Sequence, residues 1–196
     1  MIKQGIAFFG QAGSGKTTLA ANLAAFKGGV RLSFADFLRK EYSIKNNIPI
    51  RTLTTVPYKY AHRAGLQRLG DELRAADEDI FVKQMQAEIE RQMGFGRRVF
   101  LVDDVRRWNE YKLLKGMGFH MVRVEGHQSV LSASEANHIS ETEWREFEYD
   151  VNVPWIKPTL MNDAGSEKRA IYERLAYLYL KLDGDIVEWN RAQRLR

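Results

Sequence analysis

Apolar residues first gather at Gln4–Phe9, where Ile6, Ala7, Phe8 and Phe9 stand in a row. A short unbroken run closed by glycine predicts a strand buried on both faces. From Thr17 to Phe26 apolar residues recur at helical spacing among alanines, and Gly28-Gly29 ends the predicted helix. Val30–Phe34 predicts a second strand. Ala35–Tyr42 predicts a helix with Asp36 near its start, where the helix dipole favours a carboxylate. Lys45–Pro57 holds two prolines and many polar residues, which predicts a loop. Two helices follow, over Tyr58–Leu73 and Glu78–Met93. In the second, Phe81, Met85, Ile89 and Met93 recur every fourth residue and make one buried stripe. Val99–Val102 predicts a central strand with Asp103 and Asp104 at its C-terminal edge. Arg107–Met117 predicts a helix, Phe119–Val124 a strand, Gly126–Asn137 an irregular polar stretch and Glu141–Tyr149 a helix. Glu167–Leu182 carries Ile171, Leu175, Leu178 and Leu182 on one helical face, and Trp189–Arg196 reads as a solvated tail.

Strands that alternate with helices imply an α/β fold with a mostly parallel central sheet between helical layers. At 196 residues, one domain is expected. Its core would span 1–34 and 97–196, with a helical insert over 35–95 and a lid-like segment over 126–146. Cysteine is absent, which excludes disulfides, thiol nucleophiles and cysteine metal sites. No apolar run approaches the roughly 18 residues of a membrane span. No charged-then-apolar leader precedes Phe8. A soluble, cytoplasmic protein with no membrane partner is the expectation. The net charge of +5 suits anionic partners, whether nucleotides or DNA.

The stretch GQAGSGKT, Gly10 to Thr17, fits G-x-x-x-x-G-K-[ST] at every fixed position, with a strand before it and a helix after it. Glycines at 10, 13 and 15 let backbone N–H groups turn inward against phosphate oxygens. Ser14 lies within the loop, and Thr18 follows it into the helix. Lys16 supplies a charge to the β- and γ-phosphates, Thr17 an oxygen to Mg2+, and the helix its dipole. ATP and Mg2+ are the expected cofactors. Either Asp103 or Asp104 could hold the metal shell, the other serving as a helix cap. The four histidines show no metalloprotease spacing, and G-x-S-x-G and N-K-x-D are both missing. Arginines are instead dispersed at element edges: Arg39, Arg63, Arg74, Arg106, Arg107 and Arg145. A kinase with a phosphorylated acceptor needs such groups to hold phosphate bidentately.

Beyond the loop, the chain resembles the phage-type deoxynucleoside monophosphate kinases, relatives of adenylate and thymidylate kinases. The resemblance rests on SFADFLRK, HRAGLQRLGDELR, DEDIFVKQM, RVFLVDDVRRWNE, HISE and the stretch from Leu160 to Leu175, in that order, over nearly the whole chain. It implies that Gly10, Gly13, Gly15, Lys16, Thr17 and Thr18 hold ATP and Mg2+, with Asp104 as the metal-side carboxylate. Asp36 and Arg39 would face the acceptor. Arg63, Gln67 and Arg74 would contact its phosphate or base, and Arg106 would reach the phosphates between donor and acceptor. His138, Ser140 and Glu141 would close over the site and exclude water. The chain departs from the family at Phe37 and Phe81, which stand where proline and tryptophan are common, and no arginine-dense lid is present. The implied reaction moves the γ-phosphoryl group of ATP to a deoxynucleoside monophosphate. The alternative acceptor is 5-hydroxymethyluracil within DNA, flipped into the pocket, with Asp36 as base. A nucleotide-binding protein without transfer is a third reading, which the intact Lys16, Thr17, Asp104 and Arg106 oppose. Thymidylate-kinase-like folds are often dimeric, so a homodimer is compatible with the resemblance.

Overall fold

The computed structural model describes residues 1–55, 58–124, 138–149 and 155–156. Among these, the side chains of residues 59, 60, 140, 141, 148, 149, 155 and 156 are not described. The chain divides into two units, Met1–Trp155 and Ile156–Arg196. The predicted helix over 167–182 and the tail lie outside the described residues, as does the polar stretch over 126–137.

Five strands stand in the order β2-β3-β1-β4-β5. They are β1 (Gln4–Phe9), β2 (Val30–Leu32), β3 (Val99–Val105), β4 (His120–Val124) and the two-residue β5 (Trp155–Ile156). The β1·β3, β1·β4 and β2·β3 pairs are all parallel. Alternation along the strands sends side chains to two apolar layers. Ala7, Phe9, Phe100, Val102 and Met121 join one continuous core with Phe34, Phe81, Met85, Ile89, Tyr111, Leu114, Trp144 and Phe147. These helical residues come from α2 (Phe34–Asn46), α5 (Ile80–Gly94), α6 (Trp108–Gly116) and a 3-10 segment, Glu143–Tyr149. Ile6, Phe8 and Leu101 alternate with these and face the opposite layer, where α1 (Lys16–Lys27) buries Leu19, Ala20, Leu23 and Ala24. The α/β class and the parallel sheet flanked by helices are as the pattern predicts.

Several boundaries move, each for a local reason. The second strand stops at Leu32, short of Phe34, because the Phe34 and Ala35 N–H groups are donated to Asp104 and so leave the ladder. Helix α2 runs on to Asn46, where Asn47 closes it in the left-handed conformation. The loop expected from Lys45 therefore starts later, and it holds a 3-10 turn at Ile50–Leu53. The single helix expected over 58–73 is two, α3 (Tyr58–Ala61) and α4 (Arg63–Ala76), joined at His62. The strand expected to end at Val102 continues through both aspartates to Val105. The helix expected at Glu141–Tyr149 is instead a four-residue turn, α7 (Ile139–Thr142), followed by the 3-10 segment.

Candidate active site

The loop between β1 and α1 is shaped by glycine. Gly10, Gly13 and Gly15 have φ of 124°, 81° and 87°, a region in which a Cβ meets steric strain. At Gly10 a Cβ would also collide with the Val124 carbonyl oxygen, so β4 itself requires glycine there. Lys16 is buried, and its Nζ donates to the carbonyls of Gly10 (2.7 Å) and Gln11 (2.5 Å) and to Ser14 Oγ (3.2 Å). The ammonium thus lies over the loop that precedes its own helix, and Ser14 is buried beside it.

The two aspartates of β3 take different surroundings. The step from Ala7 to Phe9 on β1 is matched by Val102 to Val105 on β3, one residue more, so the irregularity falls at Asp103-Asp104. Such bulges re-aim side chains. Asp104 is taken up by the start of α2: it accepts from Ser33 Oγ (2.7 Å), Phe34 N (2.8 Å) and Ala35 N (2.8 Å). It caps that helix from the neighbouring strand. Asp103 is 1% exposed and accepts from Arg31 Nε at 2.9 Å. Its other oxygen, Oδ1, is buried without a hydrogen-bond partner among the described residues. Burial and the adjacent Asp104 push the Asp103 carboxyl above its usual range, while Arg31 and the Thr17 hydroxyl pull it down. The Thr17 hydroxyl therefore lies close enough to Asp103 to act on its charge. A hydroxyl beside a buried carboxylate with an oxygen to spare fits a Mg2+ site. No group of three metal-ligating side chains exists among the described residues. Mg2+ suits such a sparse set, because it takes one or two carboxylates and completes its shell with water and phosphate oxygens.

Beside Asp104 opens a cavity of about 150 Å3. Arg39, Arg63, Gln67, Arg74, Arg106 and His138 all line it, with Asp104 and Glu110. They come from α2, α4, the end of β3, α6 and the turn before α7. Gln67 Nε2 is buried without a hydrogen-bond partner among the described residues. Arg74 lies over the Phe81 ring, 4.5 Å from its centroid, and its Nη2 donates to Glu110 Oε1 at 3.2 Å. His138 Nε2 is 3.0 Å from Asp71 Oδ2. Asp36 is not among the lining residues. It accepts from Arg39 Nη1 at 2.6 Å and lies 3.7 Å from Arg31 Nη1. The side chain of Glu141 lies outside the described residues. Thr18 is exposed on the first turn of α1.

Three residues carry the site without a role assigned from the sequence, although Glu110 closes the stretch RVFLVDDVRRWNE. Glu110, 2% exposed, accepts from the backbone N–H of Arg106 (2.9 Å) and Arg107 (3.2 Å) as well as from Arg74. Its burial raises the carboxyl to about 7 against the pull of Arg74 and the two N–H groups. A glutamate at the third position of α6 is half of a capping-box signal, but Arg107 stands where Ser or Thr would complete it. Glu143 accepts from Arg107 Nη1 (3.0 Å) and Trp108 N (2.7 Å). The described part of the lid-like segment is therefore fastened to α6, and Arg107 serves that junction without lining the cavity. Arg31 had no signal beyond an arginine within an apolar strand. Arg145, another of the dispersed arginines, stacks on Trp144 at 5.9 Å.

No protein-family model and no curated protein matches the chain. Among solved structures, the chain is similar to a gluconokinase from Sinorhizobium meliloti 1021, with 17% sequence identity, over 94% of this chain and 98% of that one, at a TM-score of 0.41. A likeness of that size assigns neither activity nor substrate. No described helix is long and apolar enough to cross a membrane.

Proposed function

We propose that the protein is an ATP-dependent phosphotransferase whose acceptor is a deoxynucleoside monophosphate. The observation that carries this reading is the adjacency of Asp103 and Asp104 on one strand. The first stands beside Thr17 of the phosphate loop, and the second lines the cationic cavity. A donor phosphate on the loop and an acceptor phosphate in the cavity would meet at the end of β3. Crevices at the C-terminal ends of parallel strands are the general ligand sites of open α/β sheets.

The loop N–H groups and Lys16 would hold the β- and γ-phosphates of ATP, exchanging the carbonyl contacts of Lys16 for phosphate oxygens. Thr17 and Asp103 would hold Mg2+, which when bound neutralises charge on those oxygens. This gives the metal role to Asp103 and leaves Asp104 to fix the start of α2. Arg39, Arg63, Arg74 and Arg106 would hold the acceptor phosphate and steady the group in transfer, with bidentate geometry that lysine lacks. Gln67 offers both a donor and an acceptor to a base edge, and its buried, unsatisfied amide favours a polar ligand. The cavity is small beside the roughly 300–1,000 Å3 of drug-sized sites. Transfer in this arrangement is direct, with positioning and charge supplying the catalysis. The net charge of +5 is equally suited to DNA carrying 5-hydroxymethyluracil, which is the second acceptor to try.

The test is label transfer from γ-labelled ATP with Mg2+. The acceptors are the four common deoxynucleoside monophosphates, 5-hydroxymethyl-dUMP, gluconate, and DNA with and without 5-hydroxymethyluracil. Label in a nucleoside diphosphate is the expected result. Label only in modified DNA, only in gluconate or only in inorganic phosphate would overturn the reading.

A further inference from the structure

The β2·β3 register sets Arg31 opposite Leu101, two residues before Asp103. Residues two apart on a strand share a face, and a long side chain reaches the diagonal neighbour on the next strand. Arg31 Nε accordingly donates to Asp103 Oδ2 at 2.9 Å. The same guanidinium turns its Nη1 to Asp36 Oδ2, 3.7 Å away. Asp36 in turn accepts from Arg39 Nη1 at 2.6 Å, and Arg39 lines the acceptor cavity. Four groups of alternating charge therefore run from beside Thr17 to the cavity wall: Asp103, Arg31, Asp36 and Arg39. Two of the links are made by one rigid, planar side chain, through a hydrogen bond to Asp103 and a longer ion pair to Asp36.

This chain of charges differs from a surface ion pair in where it ends. Asp103 is buried, and with one oxygen taken by Arg31 only Oδ1 remains for another ligand. Arg31 thus decides which oxygen of Asp103 faces away from β2. At the far end, Asp36 is 46% exposed and Arg39 25%. Such a pair would be weak if it stood alone, because solvent screens it and both side chains lose freedom. The charge of Arg31, 3.7 Å from the other oxygen of Asp36, adds to its pull.

We propose that Arg31 is a positioning residue that couples the two halves of the site, presenting Asp103 to the Mg2+ of the donor and, through Asp36, aiming Arg39 at the acceptor phosphate. The proposal rests on the phosphotransferase reading. It predicts that disturbing Arg31 affects donor and acceptor together, although it lines neither the loop nor the cavity. Arg31→Gln keeps a hydrogen-bonding side chain but not the charged fork. Arg31→Lys keeps the charge but satisfies one carboxylate at a time.

The experiment uses the full chain and the variants Arg31→Gln, Arg31→Lys, Asp36→Asn and Arg31→Gln/Asp36→Asn. ATP binding is measured by calorimetry with Mg2+ and with EDTA, and KM is measured for the best of the four deoxynucleoside monophosphates. Thermal unfolding of each variant accompanies these measurements. In Arg31→Gln, the EDTA affinity should stay within about twofold of wild type, the tightening by Mg2+ should shrink about tenfold, and acceptor KM should rise about tenfold, each loss being one charge-assisted contact. Arg31→Lys should recover most of the Mg2+ effect and little of the acceptor KM. Asp36→Asn should raise acceptor KM alone and add nothing on top of Arg31→Gln, since both cut the same chain of charges. An unchanged Mg2+ effect in Arg31→Gln would overturn the proposal, as would additive rises in KM or a loss of Tm with binding and KM untouched. If wild type binds Mg2+-ATP but transfers to no monophosphate, the acceptor reading fails and the Mg2+ arm still decides the role of Arg31. If wild type does not bind Mg2+-ATP, both proposals fall.

Discussion

The phosphate loop and the cationic cavity meet at the end of β3, yet they are built in opposite ways. The loop is a short consecutive stretch whose backbone shape is enforced by three glycines and by the carbonyl of Val124 behind Gly10. The cavity is a set of side chains from several helical segments and one strand end, held by pairs such as Arg74–Glu110, 36 residues apart in sequence. A backbone cradle tolerates few substitutions and asks little of its neighbours. A side-chain cavity depends on every pair that orients it, so its specificity can drift while the cradle stays constant. The same contrast appears in electrostatics. Lys16 donates to carbonyls of its own loop, whereas Arg74 is balanced by a buried carboxylate that must itself be kept ionised.

The largest effect expected on the cavity side is from Arg74→Met. It leaves the Glu110 carboxylate buried without its cation, which typically costs about 3–5 kcal/mol. Urea unfolding at pH 8 should register that loss. At pH 5.5 the loss should be smaller, because Glu110 can then take a proton. Equal losses at the two pH values would mean that Glu110 keeps one protonation state across that range. On the loop side, Lys16→Ala should lower kcat for transfer by about 10²–10³-fold, the usual effect of deleting one preorganised donor to developing charge. It should leave acceptor binding unchanged. A matching loss of acceptor affinity would erase the distinction between the two regions.

Next in size are the glycines. Gly15→Ala meets no neighbour within 4 Å, so only its φ of 87° is strained, at about 1–2 kcal/mol. Gly10→Ala adds a collision with β4 and should cost more by denaturant unfolding. Equal costs would show that the loop is softer than its contacts suggest. The remaining effect is read as a slope with pH. The Glu110 carboxyl sits near 7 in the folded chain, against about 4.3 when unfolded. The folded state therefore binds the proton more tightly. Its contribution to stability is greatest below about pH 4.3, declines as pH rises toward 7 and is flat above. Glu110→Gln should remove that decline from the unfolding free energy, and an unchanged slope would point to another group.

The contrast also explains how far the sequence could be read. The strand, loop and first helix were legible from Gln4 to Phe26 because the constraint is local: a fixed spacing of glycines between an apolar run and a helical one. Phe81, Met85 and Ile89 were legible as one core face for the same reason, and all three are buried. The division of labour between Asp103 and Asp104 was not. It depends on a bulge that only pairing with β1 reveals, and on the Phe34 and Ala35 N–H groups, 70 and 69 residues away from Asp104. Arg31 was invisible because its partners lie on other elements, and Glu110, although it closes the stretch RVFLVDDVRRWNE, had no legible role because Arg74 lies 36 residues away. The end of β2 is not legible because apolar Phe34 extends the pattern while its N–H has left the sheet. The cavity arginines were nameable one by one from the resemblance. Their convergence on one wall with Gln67 is a tertiary fact.

The central claim is that two phosphate sites lie close enough for direct transfer. Dinucleoside pentaphosphates, with adenosine at one end and each of the four deoxynucleosides at the other, would span both. Their affinities should be measured by calorimetry with Mg2+ beside that of ATP. At least one should bind about 10²–10⁴-fold tighter than ATP, the gain expected when a second contact becomes intramolecular. Arg63→Met should abolish that gain and leave ATP binding intact. If every pentaphosphate binds no tighter than ATP, the cavity does not take the acceptor and the account is wrong.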